Sequence, residues 1–214
     1  MAPPKKPVYG VGINDITTPV RIKKQDGTYQ MCEVYCRWAN MLRRCYINPR
    51  VGSRYEACEV SEPWMLLSEY SKWYKSKYIK GFVVDKDLLS GSLYSPDTCL
   101  FIPEKINSFI SEGLYLSKLP SGVHYNKEKG KFCSRTYNPF SPIRGKYTHC
   151  GYTDTAEEAT YNYMVLKNIY ANELAVTLEN RVAKEALSCR YQVGHWFYED
   201  RMERAREADR EWVL

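Results

Sequence analysis

The sequence predicts an α+β protein: a small ββα unit behind two aromatic helices, then a three-stranded antiparallel sheet packed on one helix, then a helical tail. Three observations lead there. Large apolar residues recur at helical spacing around Trp38 and Trp64. Short strand-like runs separated by Gly-bearing turns fill residues 123–152. A capping box at Thr155 then opens a long helical stripe.

The chain has 214 residues, 44 % hydrophobic and 26 % charged, which excludes wholesale disorder and suits one sizeable domain or two small ones. No apolar run is long enough for a membrane span. Met1 to Pro7 is basic and proline-rich with no apolar stretch behind it, so no secretory signal is expected and the cytoplasm is the expected compartment. The 8 cysteines form no C-x-x-C pair and the 3 histidines are scattered, so reduced thiols and no zinc are expected.

Residues 1–30 read as an extended N-terminal arm with an Asp26-Gly27 turn. From Val34 to Tyr46, the residues Tyr35, Trp38, Met41, Leu42 and Cys45 share a helix face, with Arg37, Arg43 and Arg44 interleaved, and Asn48-Pro49 ends the helix. A second helix is expected to open with Ser61 as N-cap and Pro63 in its first turn, running through Trp64, Leu67 and Tyr70 to Trp73. Strands Gly81–Asp85 and Leu93–Ser95 follow, joined by a loop with Asp87 and Gly91. The run Cys99–Ile102 then leads into a helix Glu104–Ile110, ended by Gly113.

Val123–Tyr125 and Lys131–Tyr137 flank a Lys127–Gly130 hairpin turn, and Lys146–Tyr152 is the third strand. The helix after Thr155 carries Ala159, Tyr163, Leu166, Tyr170 and Leu174 as its apolar stripe. From His195 onward the tail is Glu-Asp-Arg-rich; Trp196, Met202, Ala205 and Trp212 would seam it to a partner, or it stands as a solvated helix held by ion pairs.

The net charge of +6 is unevenly placed. Residues 1–50 hold nine Lys/Arg against three Asp/Glu, and residues 114–150 hold seven against one. Two basic blocks point to a polyanion. They fall in strand-like and loop-like text rather than on an amphipathic helix, so no membrane partner is expected.

Particular motifs carry a resemblance. Tyr35-x-x-Trp38-x-x-Met41-Leu42-x-Arg44-Cys45-Tyr46, Tyr55-x-x-Cys58-x-Val60, Trp64, Asp85-Lys86-Asp87 and Tyr94-Ser95-Pro96-Asp97-Thr98-Cys99-x-Phe101-x-Pro103-x-x-Ile106-Asn107 resemble tailed-phage HNH, or homing endonuclease-like, proteins. Pro120-x-Gly122-Val123 through Gly151-Tyr152 to Glu157-x-Ala159 resembles the AP2-type DNA-binding domain that follows the nuclease-like unit in that family. The resemblance covers most of residues 8–191 and implies an HNH (His-Me-finger-like) domain over 31–113 and an AP2-like domain over 118–176; beyond Tyr191 nothing resembles that family, and residues 177–214 read as a helical extension.

The resemblance also implies a phosphodiester-cutting site. Asp85 would be a metal ligand, Lys86 takes the place of the general-base histidine, and Asn107 would be a second ligand for Mg²⁺ or Mn²⁺. As a base, Lys86 would need its pKa drawn from about 10.4 to near 7, while Asp85 and Asp87 flank it and push it upward. The text between Leu89 and Tyr94 is also shorter than the family pattern and lacks its Asn.

In the second module, alternation turns Phe132, Ser134 and Thr136 toward the helix. Lys131, Cys133, Arg135 and Tyr137 then face outward, joined by Tyr147 and His149. A three-stranded sheet fits the major groove, with Arg135 suited to guanine O6 and N7 and Lys129, Lys131, Arg144 and Lys146 suited to phosphates. Arg43 and Arg44 add basic charge on the first helix. The expected function is double-stranded DNA binding in the cytoplasm of an infected bacterial host, with an HNH-like unit that cuts poorly or not at all. The competing readings are an active metal-dependent nicking endonuclease and a protein that inhibits a bacterial host or defence protein through residues 195–214.

Overall fold

The computed structural model describes residues 6–47, 57–89, 91–111, 118–143 and 145–212. It is a mixed α+β protein, and the chain divides into two compact units, Met1–Pro103 and Glu104–Leu214. No helix among the described residues is long and apolar enough to cross a membrane.

The first unit is built on aromatic packing. Helix α1 (Glu33–Tyr46) buries Trp38, Met41, Leu42 and Cys45, the face that the spacing predicts. The Trp38 indole donates to the Trp64 carbonyl at 2.7 Å, which satisfies a polar atom inside an apolar core. The arm folds back on this core instead of standing free: Val8, Val11, Ile16 and Val20 pack against it. A Cβ on Gly12 would lie 2.3 Å from Leu42 Cδ1, so only glycine lets the arm approach this closely. Strands β1 (Arg21–Lys23) and β2 (Tyr29–Met31) form an antiparallel hairpin around Gly27, which sits at φ +81°.

The predicted second helix is two elements. A 3₁₀ turn, Glu62–Met65, stops at Leu66, which is extended, and α2 (Leu67–Lys77) starts afresh. The cause is the arm: Ile13 accepts from the Leu67 N–H and donates to the Met65 carbonyl, and Asp15 accepts from the Ser68 N–H and hydroxyl at the start of α2. Ser61 makes no side-chain cap bond.

The strand pairing also differs from expectation. β3 (Glu59–Val60) pairs in parallel with β5 (Leu93–Tyr94), while β4 (Phe82–Asp85) pairs antiparallel with β6 (Leu100–Pro103), the run expected only as a lead-in to a helix. Four residues of β6 match four of β4, with Phe101 and Ile102 buried, whereas β5 offers two residues to any partner. The helix after β6 is α3 (Glu104–Ile110), and the division of the chain falls between them. Residues 48–56, Ser90 and Gly113 lie outside the described residues.

In the second unit, β7 (Val123–Asn126), β8 (Lys131–Tyr137) and β9 (Tyr147–Thr153) form an antiparallel sheet in that order. Helix α4 (Ala156–Val176) crosses one face, with Thr155 capping the Glu158 N–H and Glu158 reaching back to Asp154 N–H. Helices α5 (Arg181–Cys189) and α6 (Trp196–Trp212) complete it.

The tail is not solvated throughout. Met202, Ala205 and Ala208 are buried, and Ala208 joins the core of Val123, Phe132, Ala156 and Ala159. Asp209 accepts the first two N–H groups of α4, from Ala156 at 2.7 Å and Glu157 at 2.9 Å, and Trp212 packs on Tyr125 and Phe132. Of the apolar seam read in the tail, Met202, Ala205 and Trp212 thus pack on the chain's own side chains, while Trp196 is exposed.

Candidate nucleic-acid interface

The outer face of the sheet forms because its inner face is committed. Phe132, Ser134 and Thr136 are buried, and the Ser134 hydroxyl donates to the Ala159 carbonyl of α4 at 2.7 Å. Alternation then turns Arg135 and Tyr137 away from α4. Register places Arg135 opposite His149 and Tyr137 opposite Tyr147, which brings four sequence-predicted residues together. Arg135, Tyr147 and His149 are exposed, and the Arg135 guanidinium lies 5.2 Å from the Tyr147 ring centre.

Two outer-face residues, Tyr152 and His124, were missed. Between Cys133 and Arg135 the register slips, so β9 carries an extra residue at Cys150-Gly151. Gly151 takes φ +101°, and Tyr152, which strict alternation would turn inward, shares the outer face with His149. The His149 and Tyr152 rings lie 4.7 Å apart, and the Lys129 ammonium lies 3.9 Å from the Tyr152 ring centre. A glycine inside a strand was the available signal. His124, opposite Cys133 and exposed, is a second addition; burial first, then the Arg135 charge, holds its pKa below the usual histidine range, so at neutral pH it is uncharged.

Other predicted contacts sort differently. Cys133 has outward parity but is buried between His124 and Tyr152, its thiol donating to the His124 carbonyl. Lys131 is held in an ion pair with Asp154. Lys146 is exposed next to Tyr147, and Arg144 lies outside the described residues. Arg43 and Arg44 are exposed in the last turn of α1, in the first unit, where they also oppose the negative helix end. His149 Nδ1 accepts from the Gly151 N–H at 3.0 Å, which in the neutral ring puts the proton on Nε2.

Of the residues expected to cut, Asp85 and Lys86 are buried. Lys86 is 1 % exposed; its ammonium donates to the Asp87 carboxylate and the Gly91 carbonyl and lies 5.5 Å from the Tyr94 ring centre. Burial pulls its pKa down, but Asp87 and then Cys58 outweigh burial and hold it above the ordinary lysine range. The Cys58 thiol is pulled down to about 7 by the hydrogen bond from Cys45 and by Lys86, against burial. A lysine held protonated in this way has no lone pair with which to take a proton near pH 7.

Asp85 is buried and accepts from the Leu88 N–H at 2.8 Å, the bond of an Asx-type turn. Asn107 belongs to the second unit, partly buried on α3. A Mg²⁺ or Mn²⁺ ion takes a near-octahedral set of oxygens. Among the described residues no group of three His, Cys, Asp or Glu side chains stands together; Asp85 is one oxygen donor, and the neighbouring Asp87 carboxylate is taken by the Lys86 ammonium.

Comparison of the chain with protein-family models, with curated proteins and with solved structures finds no match in any of the three.

Proposed function

We propose that the chain is a duplex-DNA-binding protein of the tailed-phage HNH-like kind, acting in the cytoplasm of the infected bacterium, with a first unit that cuts poorly or not at all. The observation that carries this reading is the outer face of the second unit's sheet, where Arg135, His149, Tyr137, Tyr147, Tyr152 and Lys129 stand together opposite the face covered by α4. Antiparallel strands dock in the major groove of B-form DNA in other sheet readers. In this arrangement the Arg135 fork takes guanine O6 and N7, while Lys129, Lys146 and the tyrosine hydroxyls hold phosphates. The charge and burial of Lys86 support a unit that positions rather than cleaves.

Duplex affinity measured by fluorescence anisotropy over a salt series tests the reading. About six phosphate contacts give a log–log slope near −5. Arg135→Ala is expected to weaken binding by roughly 5- to 150-fold, the range for a lost bidentate base contact. A flat salt response, or an Arg135→Ala variant that binds as the parent does, overturns it.

A further inference from the structure

The β1–β2 hairpin lies in the first unit, and nothing in the sheet reading uses it. We infer that this ribbon is a second duplex-DNA contact; the inference rests on the DNA-binding reading above and adds a binding element to it. Every residue from Arg21 to Met31 is exposed, on both faces of the ribbon. An exposed two-stranded ribbon gains little from burial, so its side chains are not placed to support a core. It is nevertheless fixed in shape. The Cys32 N–H donates to the Val20 carbonyl at its base, the Lys24 N–H donates to Thr28 and the Gly27 N–H donates to Lys24 at its tip, and Val20 packs on the core.

The chemistry of the ribbon points to a polyanion. It carries Arg21, Lys23 and Lys24, and Asp26 is the single carboxylate between Val20 and Cys32. That carboxylate accepts from the Thr28 N–H and hydroxyl, so it is taken up by its own turn. Cross-strand register pairs Arg21 with Met31 and Lys23 with Tyr29, which places two cations and two large apolar side chains on one face; Ile22 and Gln30 share the other. The Arg21 guanidinium lies 4.0 Å from the Tyr29 ring centre, which holds it in a fixed direction without neutralising it.

Shape selects the duplex. The major groove of B-form DNA admits a two-stranded β-ribbon, whereas the deep, narrow major groove of A-form RNA does not. The exposed apolar side chains are divided between the two faces, Ile22 on one and Tyr29 and Met31 on the other, so they do not make the single apolar face that inserts into a membrane surface.

The test uses the full chain with Arg21→Gln, Lys23→Gln and Lys24→Gln combined, beside Arg135→Ala, on the same DNA duplex over a salt series. The triple variant is expected to reduce the steepness of the salt slope by up to about 3, since each phosphate contact contributes about 0.9. Its circular dichroism melting curve should match the parent's, because the three side chains are exposed. A triple variant with the parent's slope and affinity, alongside a weakened Arg135→Ala, overturns the ribbon and leaves the sheet standing. No salt-dependent binding by the parent overturns both. Equal loss on an RNA duplex of the same sequence, or a loss confined to anionic phosphatidylserine vesicles, overturns the assignment to duplex DNA.

Discussion

Lys86 joins sequence, packing and function in one residue. It is buried, yet its charge is retained because Asp87 and the Gly91 carbonyl hold the ammonium. Lys86→Met removes that cation from both partners and is expected to destabilise the first unit by about 3 kcal/mol, read by urea unfolding followed through tryptophan fluorescence. The pH dependence has a definite sign. The folded pKa lies above that of the unfolded chain, about 10.4, so the stabilisation is complete below that value and is lost as pH rises through the folded pKa. The parent should therefore lose stability in strong alkali more steeply than Lys86→Met; parallel curves would count against the pair. The sequence displays Asp85-Lys86-Asp87, and the two flanking acids foretell the upward shift. Which of them pairs with the lysine was not legible, because that depends on the path of the loop through Gly91.

Legibility of the elements follows the distance over which each is determined. Helix α1 and strand β8 appear where their spacing predicts, since period and burial agree within a single segment. The break at Leu66 does not, because its cause is Ile13, more than fifty residues earlier. Pairing of β4 with β6 instead of β5 is likewise a choice among partners that local text cannot rank. The β9 bulge is an intermediate case: Gly151 marks it, but only the register reveals that Tyr152 turns outward. Gly151→Ala tests that element. No atom lies within 4 Å of the added Cβ, so the cost is that of positive φ alone, about 1 kcal/mol in thermal or urea unfolding. Weakened duplex binding beyond what lost stability explains is expected if the bulge aims Tyr152 and His149. Parent affinity in a folded Gly151→Ala variant would remove these two rings from the interface.

For the molecule as a whole, the proposed reading separates DNA binding from DNA cutting. Supercoiled plasmid incubated with the chain and Mg²⁺ or Mn²⁺ is expected to remain supercoiled, because the group in the base position is a buried ammonium and Asp85 serves its own turn. Nicking that disappears in Asp85→Ala would restore the cutting reading. The candidate interface was largely legible. The two basic blocks, the alternation of β8 and the partner strand at Tyr147 and His149 are properties of short segments, set by side-chain type and a period of two. By itself, the sequence determined the α+β class, the second unit's sheet order and capped helix, and the basic character of its outer face. Tertiary structure alone decided that the arm splits the second helix, that the tail closes over the start of α4 through Asp209 and Trp212, and that Lys86 is sealed inside. The physical reason is common to all three: each depends on which distant surface wins the competition to cover exposed apolar area and unpaired backbone groups, and that contest is decided only when the chain is compact.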